Sequence, residues 1–363
     1  MKYLTQLEPN ELVSNFLTHP PQDFTAWQLH DEIPAFTAHF DLLTTADHDL
    51  QRKVRKLPFF NKWQKFLRPL TTFIGTTVSE YILLSDKLSP DQLAKEIKQQ
   101  YGQKSPLLIV KDIPQQSPLL AEYANQYSAT FIQALQNQGF IEVEGQALAW
   151  VPIDFTDINE YLGRLSYQRR KNFRRKLKSQ QYVEINCLHS GDGCFFDAAV
   201  LEQFYQLYLN VYQQSDIHFD LLTKAFFIEL LQDVKNQARI FTYYHHEQLV
   251  GYNICFIVNN MLVDKYIGFD YPLARELNLY FLSWFYNLDY ARQQGLDYYV
   301  AGWTDPEVKS SLGAKFTFTK HMVYVRNPLL RNILKKISSR FEQDKNWQEN
   351  VSKQHQQAKN CNE

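Results

Sequence analysis

The sequence predicts an α/β chain of the α+β kind, organised as two domains. Three observations lead there. The chain has 363 residues, 45% of them apolar and 15% aromatic, which is long for one domain and ample for two cores. Ala238–Asp270 splits into three strand-like runs at the turns HHEQ and VNN, the pattern of an antiparallel meander. Segments with helical spacing lie on both sides of that meander.

Taken in order, the first half is strand-rich. TTFIGTTVSEYILL (Thr71–Leu84) is dense in β-branched residues, and PLLIVKDI (Pro106–Ile113) is a short apolar run suited to a buried strand. Ser117–Gly139 has helical spacing and ends at a glycine. GFIEVEGQALAWVPI follows as two expected short strands, turning at Glu144 and Gly145. Near Asp154 the character becomes helical, with Thr156 and Ser166 as candidate N-caps, which sets an expected domain boundary at residue 155. Helices are expected over Val200–Gln214 and Leu221–Gln237 before the meander. After it come a helix (Leu277–Gln294), a strand (Asp297–Trp303), a polar loop and a last strand (Lys315–Val325). Residues 329–341 carry an apolar helical face, and 342–363 are polar, as a disordered tail would be.

Composition bounds the function. The 38 basic and 39 acidic residues nearly cancel, so no global charge calls for DNA. Four cysteines without a CxxC pair fit a reduced protein better than a disulfide scaffold or zinc site. No apolar run is long enough to span a bilayer, and the N-terminus has no apolar leader core. The expectation is a cytoplasmic protein, with peripheral contact at the inner membrane face as its variant. No Ser-His-Asp order, phosphate loop or dinucleotide fingerprint is present. His245 and His246 fall in a turn without a third ligand, so no metal is expected, and Cys255 fits the core.

Positive charge is concentrated locally. YQRRKNFRRKLKSQ (Tyr167–Gln180) holds seven Lys or Arg and no acid. At ~100° per residue from Arg169, Phe173 and Leu177 fall near 40° and 80°, and most cations lie across from them. This is an amphipathic helix with one buried stripe and a cationic face. Either that face is simply solvated or it meets phosphates or acidic headgroups.

Three further stretches carry candidate chemistry. In LVDKYIG, strand alternation puts Asp264 and Tyr266 on one face and Lys265 on the other. DYPLAREL opens a helix, where Arg275 and Asn278 suit an anion, although Arg275 could equally pair with Glu276. GWTDPEVKSSLG gathers Trp303, Asp305 and Lys309 in one loop, which is also ordinary turn chemistry.

The order of elements and these motifs resemble the GNAT superfamily of acyl-CoA N-acyltransferases. The resemblance is closer to the branch grouping Fem-type peptidyltransferases with BioF2-like acetyltransferases. INEYLGRLSYQRRKNFRRKL looks like the basic helix leading into that branch's catalytic domain. QLVGYNICF with LVDKYIGFDYPLAREL looks like its central hairpin, and YARQQGLDYYVAGWTDPEVKSSLGAKF like its ending. The match covers roughly Ile158–Val325.

The resemblance implies tandem GNAT-like domains: a divergent one over 1–155 and a catalytic one over 156–328, each a mixed, mostly antiparallel sheet flanked by helices. It implies an enzyme that moves an acyl group from acyl-CoA, most simply acetyl-CoA, to an amine on a small molecule or envelope precursor. No permanently bound cofactor is implied. The donor would lie where two central strands splay apart, near Ile267–Asp270, with Ile267 and Gly268 against it, and near Tyr299–Gly302. Asp264 would then be the base and Tyr266 the acid, with Asp305 an alternative base. Arg170, Arg174, Arg175, Arg275 and Asn278 would hold the donor's phosphates, and Lys265, Trp303 and Lys309 the acceptor. One departure matters: DYPLARELNLYF has no glycine after Gly268, where ordinary GNAT enzymes carry a glycine-rich pyrophosphate loop. Aminoacyl-tRNA, the donor of Fem-type relatives, is therefore the alternative. A non-catalytic membrane-surface protein is the third reading.

Overall fold

Turn chemistry sets the frame of the fold. In a computed structural model, His246, Glu247, Asn259 and Asn260 all take positive φ, the geometry that tight two-residue hairpins need. The structure describes residues 3–29, 33–42, 52–53, 56, 58, 60, 64–215 and 218–337. Its elements begin α1 (Asn10–Thr18), β1 (Thr25–Leu29), β2 (Ile33–His39), β3 (Leu70–Ile74), α2 (Pro90–Tyr101), β4 (Leu107–Gln115), α3 (Glu122–Asn137) and β5 (Ile141–Pro152). Next come α4 (Ile158–Gly163), α5 (Tyr167–Leu177), β6 (Glu184–His189), α6 (Ala198–Gln214), α7 (Lys224–Gln232), β7 (Arg239–His245), β8 (Gln248–Val258) and β9 (Met261–Phe269). The last are α8 (Leu273–Glu276), α9 (Leu279–Gln293), β10 (Tyr298–Gly302), α10 (Pro306–Ser311), β11 (Lys315–Val325) and α11 (Pro328–Ile337).

The chain divides into two compact units that are not contiguous in sequence. Leu7–Gln22 and Leu148–Phe316 form one; the residues up to Gln6, Asp23–Ala147 and the chain from Thr317 form the other. The change therefore falls inside β5, not at residue 155, and each unit takes a segment from elsewhere in the chain. The reason lies in the ladders: Phe318–Val325 of β11 pairs with β4, although the sequence places it after β10.

In the unit holding residues 148–316, β6, β7, β8 and β9 form the expected antiparallel meander. β10 then runs parallel to β9, and Leu148–Pro152 of β5 closes the sheet. One face is covered by α4, α5 and α9, with Tyr161, Leu162, Phe173, Leu282, Phe285 and Leu288 in a single apolar cluster. The other face meets α6 and α7: Phe204 stacks on Tyr252, and Phe226 and Phe227 both touch Tyr266.

In the unit holding Asp23–Ala147, β1–β2–β3 is antiparallel, β3 and β4 are parallel, and β11 lies antiparallel to β4. α2 and α3 cover a core of Leu93, Ile97, Val110, Phe131, Leu135 and Met322. α2 starts with a capping box, Ser89 and Gln92, and Pro90 at its first turn.

Several local expectations change. Thr71–Leu84 is a strand only to Ile74; beyond it Lys111 Nζ donates to the Thr76 carbonyl, and the segment runs on without a ladder. α4 is capped by Asp157, which accepts from Glu160 N–H, while Thr156 donates its hydroxyl to the Glu160 carboxylate. Ser166 does cap α5. Ile141–Pro152 is one unbroken strand, so Glu144–Gly145 is no turn. Gly145 is there because Thr319 crosses it: a Cβ would lie 2.2 Å from Thr319 Oγ1 and 2.8 Å from its carbonyl oxygen. The expected apolar helix over 329–341 is seen as Pro328–Ile337, and the polar tail lies outside the described residues.

This crossing yields a prediction. Gly145→Val should destabilise the fold by about 1–3 kcal/mol through overpacking. A lowered urea midpoint checks it; an unchanged midpoint would show that β11 can give way.

Candidate active site

The parallel pairing of β9 with β10 runs Met261–Tyr298, Leu262–Tyr299 and Val263–Val300, and stops there. Past that point the two strands no longer share a ladder, and Asp264 is the first β9 residue beyond it. Asp264 accepts hydrogen bonds from the Tyr299 hydroxyl at 2.8 Å, from Asn287 Nδ2 at 3.2 Å and from Asn253 Nδ2 at 3.2 Å. Asn253 is oriented in turn by Tyr243, whose hydroxyl donates to its Oδ1 at 3.0 Å. Asn287 also donates to the Tyr299 oxygen at 3.2 Å, so a relay runs Asn287, Tyr299, Asp264. Four elements thus supply the network: β7, β8, α9 and β10.

Surrounding protein pushes the Asp264 carboxyl above the usual carboxylate range; the Tyr299 hydrogen bond and the Lys309 charge pull the other way. Part of Asp264 stays open to solvent, as a group meeting substrate requires. Lys309, from α10, is buried and donates from Nζ to the Ala301 carbonyl at 2.6 Å. Gly302 lies between: a Cβ on it would sit 3.8 Å from Lys309 Nζ and 3.9 Å from the Asp264 carbonyl. Its φ of +77° is the left-handed region, which glycine enters without penalty.

Tyr280 completes the cluster. It stands in the first turn of α9, and its buried hydroxyl has no hydrogen-bond partner. Burial raises its pKa, with Asp305, Asp264 and Tyr271 adding to the effect, so the phenol stays a neutral donor. A proton acceptor with an ammonium beside it thus lies within electrostatic range of a spare phenolic donor. That is equipment for moving a proton and stabilising a developing oxyanion.

Tyr266 is not part of it. Cys255 pairs with Asp264 and Ile254 pairs with Tyr266, so Lys265 is an extra residue, a β-bulge. The bulge turns Tyr266 to the face opposite Asp264, against Phe226 and Phe227. Alternation without the bulge put both on one face. Lys265 itself forms a buried ion pair with Glu8, 3.5 Å away, instead of facing an acceptor. Ile267 returns to the α9 face. Gly268 offers no phosphate cradle: a Cβ there would meet the Tyr252 ring at 2.3 Å and Leu207 at 2.9 Å.

The remaining candidates spread over the surface. Arg275 donates to Gln214 at 2.8 Å and lies over the Tyr271 ring, rather than pairing with Glu276. Asn278, in left-handed geometry before α9, donates to Ser179 just after α5. Trp303 is half-buried, and Asp305 is exposed at the start of α10.

Helix α5 is anchored by Phe173, which packs on Phe281 and Phe285, and by Lys176, whose Nζ sits 3.2 Å from the Phe281 ring centroid. Arg170 donates to the Gly163 carbonyl and Arg175 to Asn172; Arg174 is exposed. None of the ion pairs among the described residues uses a cation of α5.

The raised Asp264 pKa has a measurable consequence. A carboxyl that titrates higher folded than unfolded stabilises the fold most below its unfolded value, ~3.9. That contribution is lost as pH rises through the raised folded value. Asp264→Asn should remove this share of the pH slope of unfolding free energy. Equal slopes in both proteins, from urea melts across the acidic range, would contradict it.

No curated protein matches the sequence. Among solved structures the chain is similar to the C-terminal domain (DUF2156) of a protein assigned as a lysylphosphatidylglycerol synthetase from Agrobacterium fabrum, with TM-score 0.53, 8% identity and 86% of each chain covered. It is similar to L-PGS from Bacillus licheniformis, with TM-score 0.52, 10% identity, and 92% of this chain and 97% of that one covered. It is also similar to FemX, with TM-score 0.50, 13% identity, and 90% and 98% covered. These likenesses show a shared fold. Residues 93–360 match the FemAB-like family, described as peptidoglycan biosynthesis/recognition, and the chain belongs to that family.

Proposed function

We propose that this protein is a transferase that moves an activated aminoacyl group from tRNA to an amine on a cell-envelope precursor. The observation that carries the reading is the Asp264 cluster at the opening between β9 and β10. Family membership supplies the envelope precursor as acceptor class. A neighbour named for lysylphosphatidylglycerol synthesis is consistent with an aminoacyl donor. The exposed cations of α5, without carboxylate partners among the described residues, favour a donor rich in phosphates.

The chemistry balances simply. The acceptor amine attacks the ester carbonyl, a C–N bond forms, and the C–O bond to the tRNA ribose breaks. Asp264 takes the proton lost by the amine, and the leaving hydroxyl regains one. In this reading Tyr280 and Lys309 donate to the carbonyl oxygen as it becomes negative. Tyr299, Asn253 and Asn287 hold the carboxylate in one orientation, which shortens the search for a reactive geometry.

A second reading keeps acyl-CoA as donor. The same opening between β9 and β10 favours it, because a thioester arm needs a slot between strands. The stretch DYPLAREL favours the first reading, since it lacks the glycine-rich pyrophosphate loop of ordinary GNAT enzymes.

Binding separates the two. Steeply salt-dependent tRNA binding, weakened by Arg170→Gln, Arg174→Gln and Arg175→Gln together, is expected, with no heat of binding for acyl-CoA. Acyl-CoA binding without tRNA binding would reverse the assignment. For chemistry, Tyr280→Phe should lower kcat by ~10²-fold, the scale of one lost oxyanion donor. Tyr266→Phe should leave kcat unchanged; the opposite ranking would refute the role given to the Asp264 cluster.

A further inference from the structure

Helix α11 holds the two leucines of its first turn, Leu329 and Leu330, outward. Its sequence places Leu329, Leu330, Ile333, Leu334 and Ile337 at the spacing of one helical face. At ~100° per residue, Arg331 falls on the far side of that arc. In a helix that contributes to its own core, the apolar arc faces inward. Here Arg331 does the docking. Its guanidinium stacks 4.1 Å from the Tyr324 ring centroid, its Nε donates to the Val325 carbonyl at 2.8 Å, and its Nη2 donates to the Arg326 carbonyl at 3.3 Å. Leu329 and Leu330 are left 73% and 55% exposed. Two adjacent leucines held in water by a polar tether call for an apolar partner.

The charge around the helix says which partner. Lys98 lies over the same Tyr324 ring, Lys104 over the neighbouring Tyr101 ring, and Arg326 donates to the Gln103 carbonyl. From Arg326 to Phe341 the sequence adds Arg331, Lys335, Lys336 and Arg340 and contains no acid. A second copy of the chain would press this cationic patch against itself. Among the described residues no helix is long and apolar enough to cross a membrane. We infer that α11 and the cations beside it form a docking surface for an anionic lipid bilayer. The leucines enter the headgroup boundary and the Lys and Arg side chains meet lipid phosphates.

The inference does not rest on the acyl-transfer reading, and its readout is binding. The full chain is floated with vesicles of phosphatidylcholine alone, or of phosphatidylcholine and phosphatidylglycerol in equal parts. Flotation with the mixed vesicles only, fading with added salt, is the expected result. Leu329→Asp with Leu330→Asp should cut the bound fraction by ~10-fold or more, because two leucines no longer leave water. Tm and elution volume should not change. Lys98→Gln with Lys104→Gln should weaken binding to the mixed vesicles with both leucines intact. No flotation with either vesicle, or flotation indifferent to the leucine pair, overturns the inference. So does a native dimer that the leucine substitutions convert to monomer, since a second copy would then be the occupant.

Discussion

Opening a sheet between two parallel strands leaves a polar gap in the middle of a packed layer, and the protein fills it with one carboxylate. An ionised group among apolar neighbours costs several kcal/mol unless hydrogen bonds and a counter-charge offset the loss of water. Asp264 has both: donors from Tyr299, Asn287 and Asn253, and the charge of Lys309 behind Gly302. Each partner comes from a different element, so the meander, α9, β10 and α10 must all be in place before the carboxylate is satisfied. That dependence ties the reactive group to the fold. It also fixes a side chain that chemistry needs in one orientation.

The bulge at Lys265 is the second constraint. An extra residue in β9 lets Asp264 face α9 and, two positions later, lets Tyr266 fill an aromatic cluster with Phe226 and Phe227 on the other face. The bulged lysine reaches Glu8, so Leu7–Gln22, far away in sequence, is pinned to the same unit. α1 adds to that hold, with Asn15 donating to the Phe226 carbonyl. The same strand therefore serves the site and recruits the N-terminal helix.

Helix α5 shows how a charged helix is kept without an ion pair. Phe173 and the Lys176–Phe281 contact hold it to α9, and Asn278 ties the following turn through Ser179. Its remaining cations stay in water at little cost, available to a phosphate-bearing ligand. The residues that anchor the helix are separate from those that could bind. The charged face can thus carry out one task without weakening the other.

Local patterning determined much of this protein. The meander, its turn residues, the two helices after Asp154 with the Ser166 cap of the second, the amphipathic character of α5 and the family resemblance all follow from spacing along the chain, because they depend on neighbours within a few residues. Asp264 was legible as a charged residue in an apolar strand, and Lys309 as one member of a polar loop. Three things were decided only by the tertiary structure. Gly145 looked like a turn, and only the crossing of Thr319 explains it. Tyr266 looked like a partner of Asp264, and only the pairing register with β8 reveals the bulge that separates them. Asn253 and Asn287 looked like ordinary members of apolar elements, and with Tyr299 they meet Asp264 across 35 residues or fewer of chain but from different strands and a helix. Register and convergence depend on how separate elements pair and pack, and no periodicity within one element encodes either.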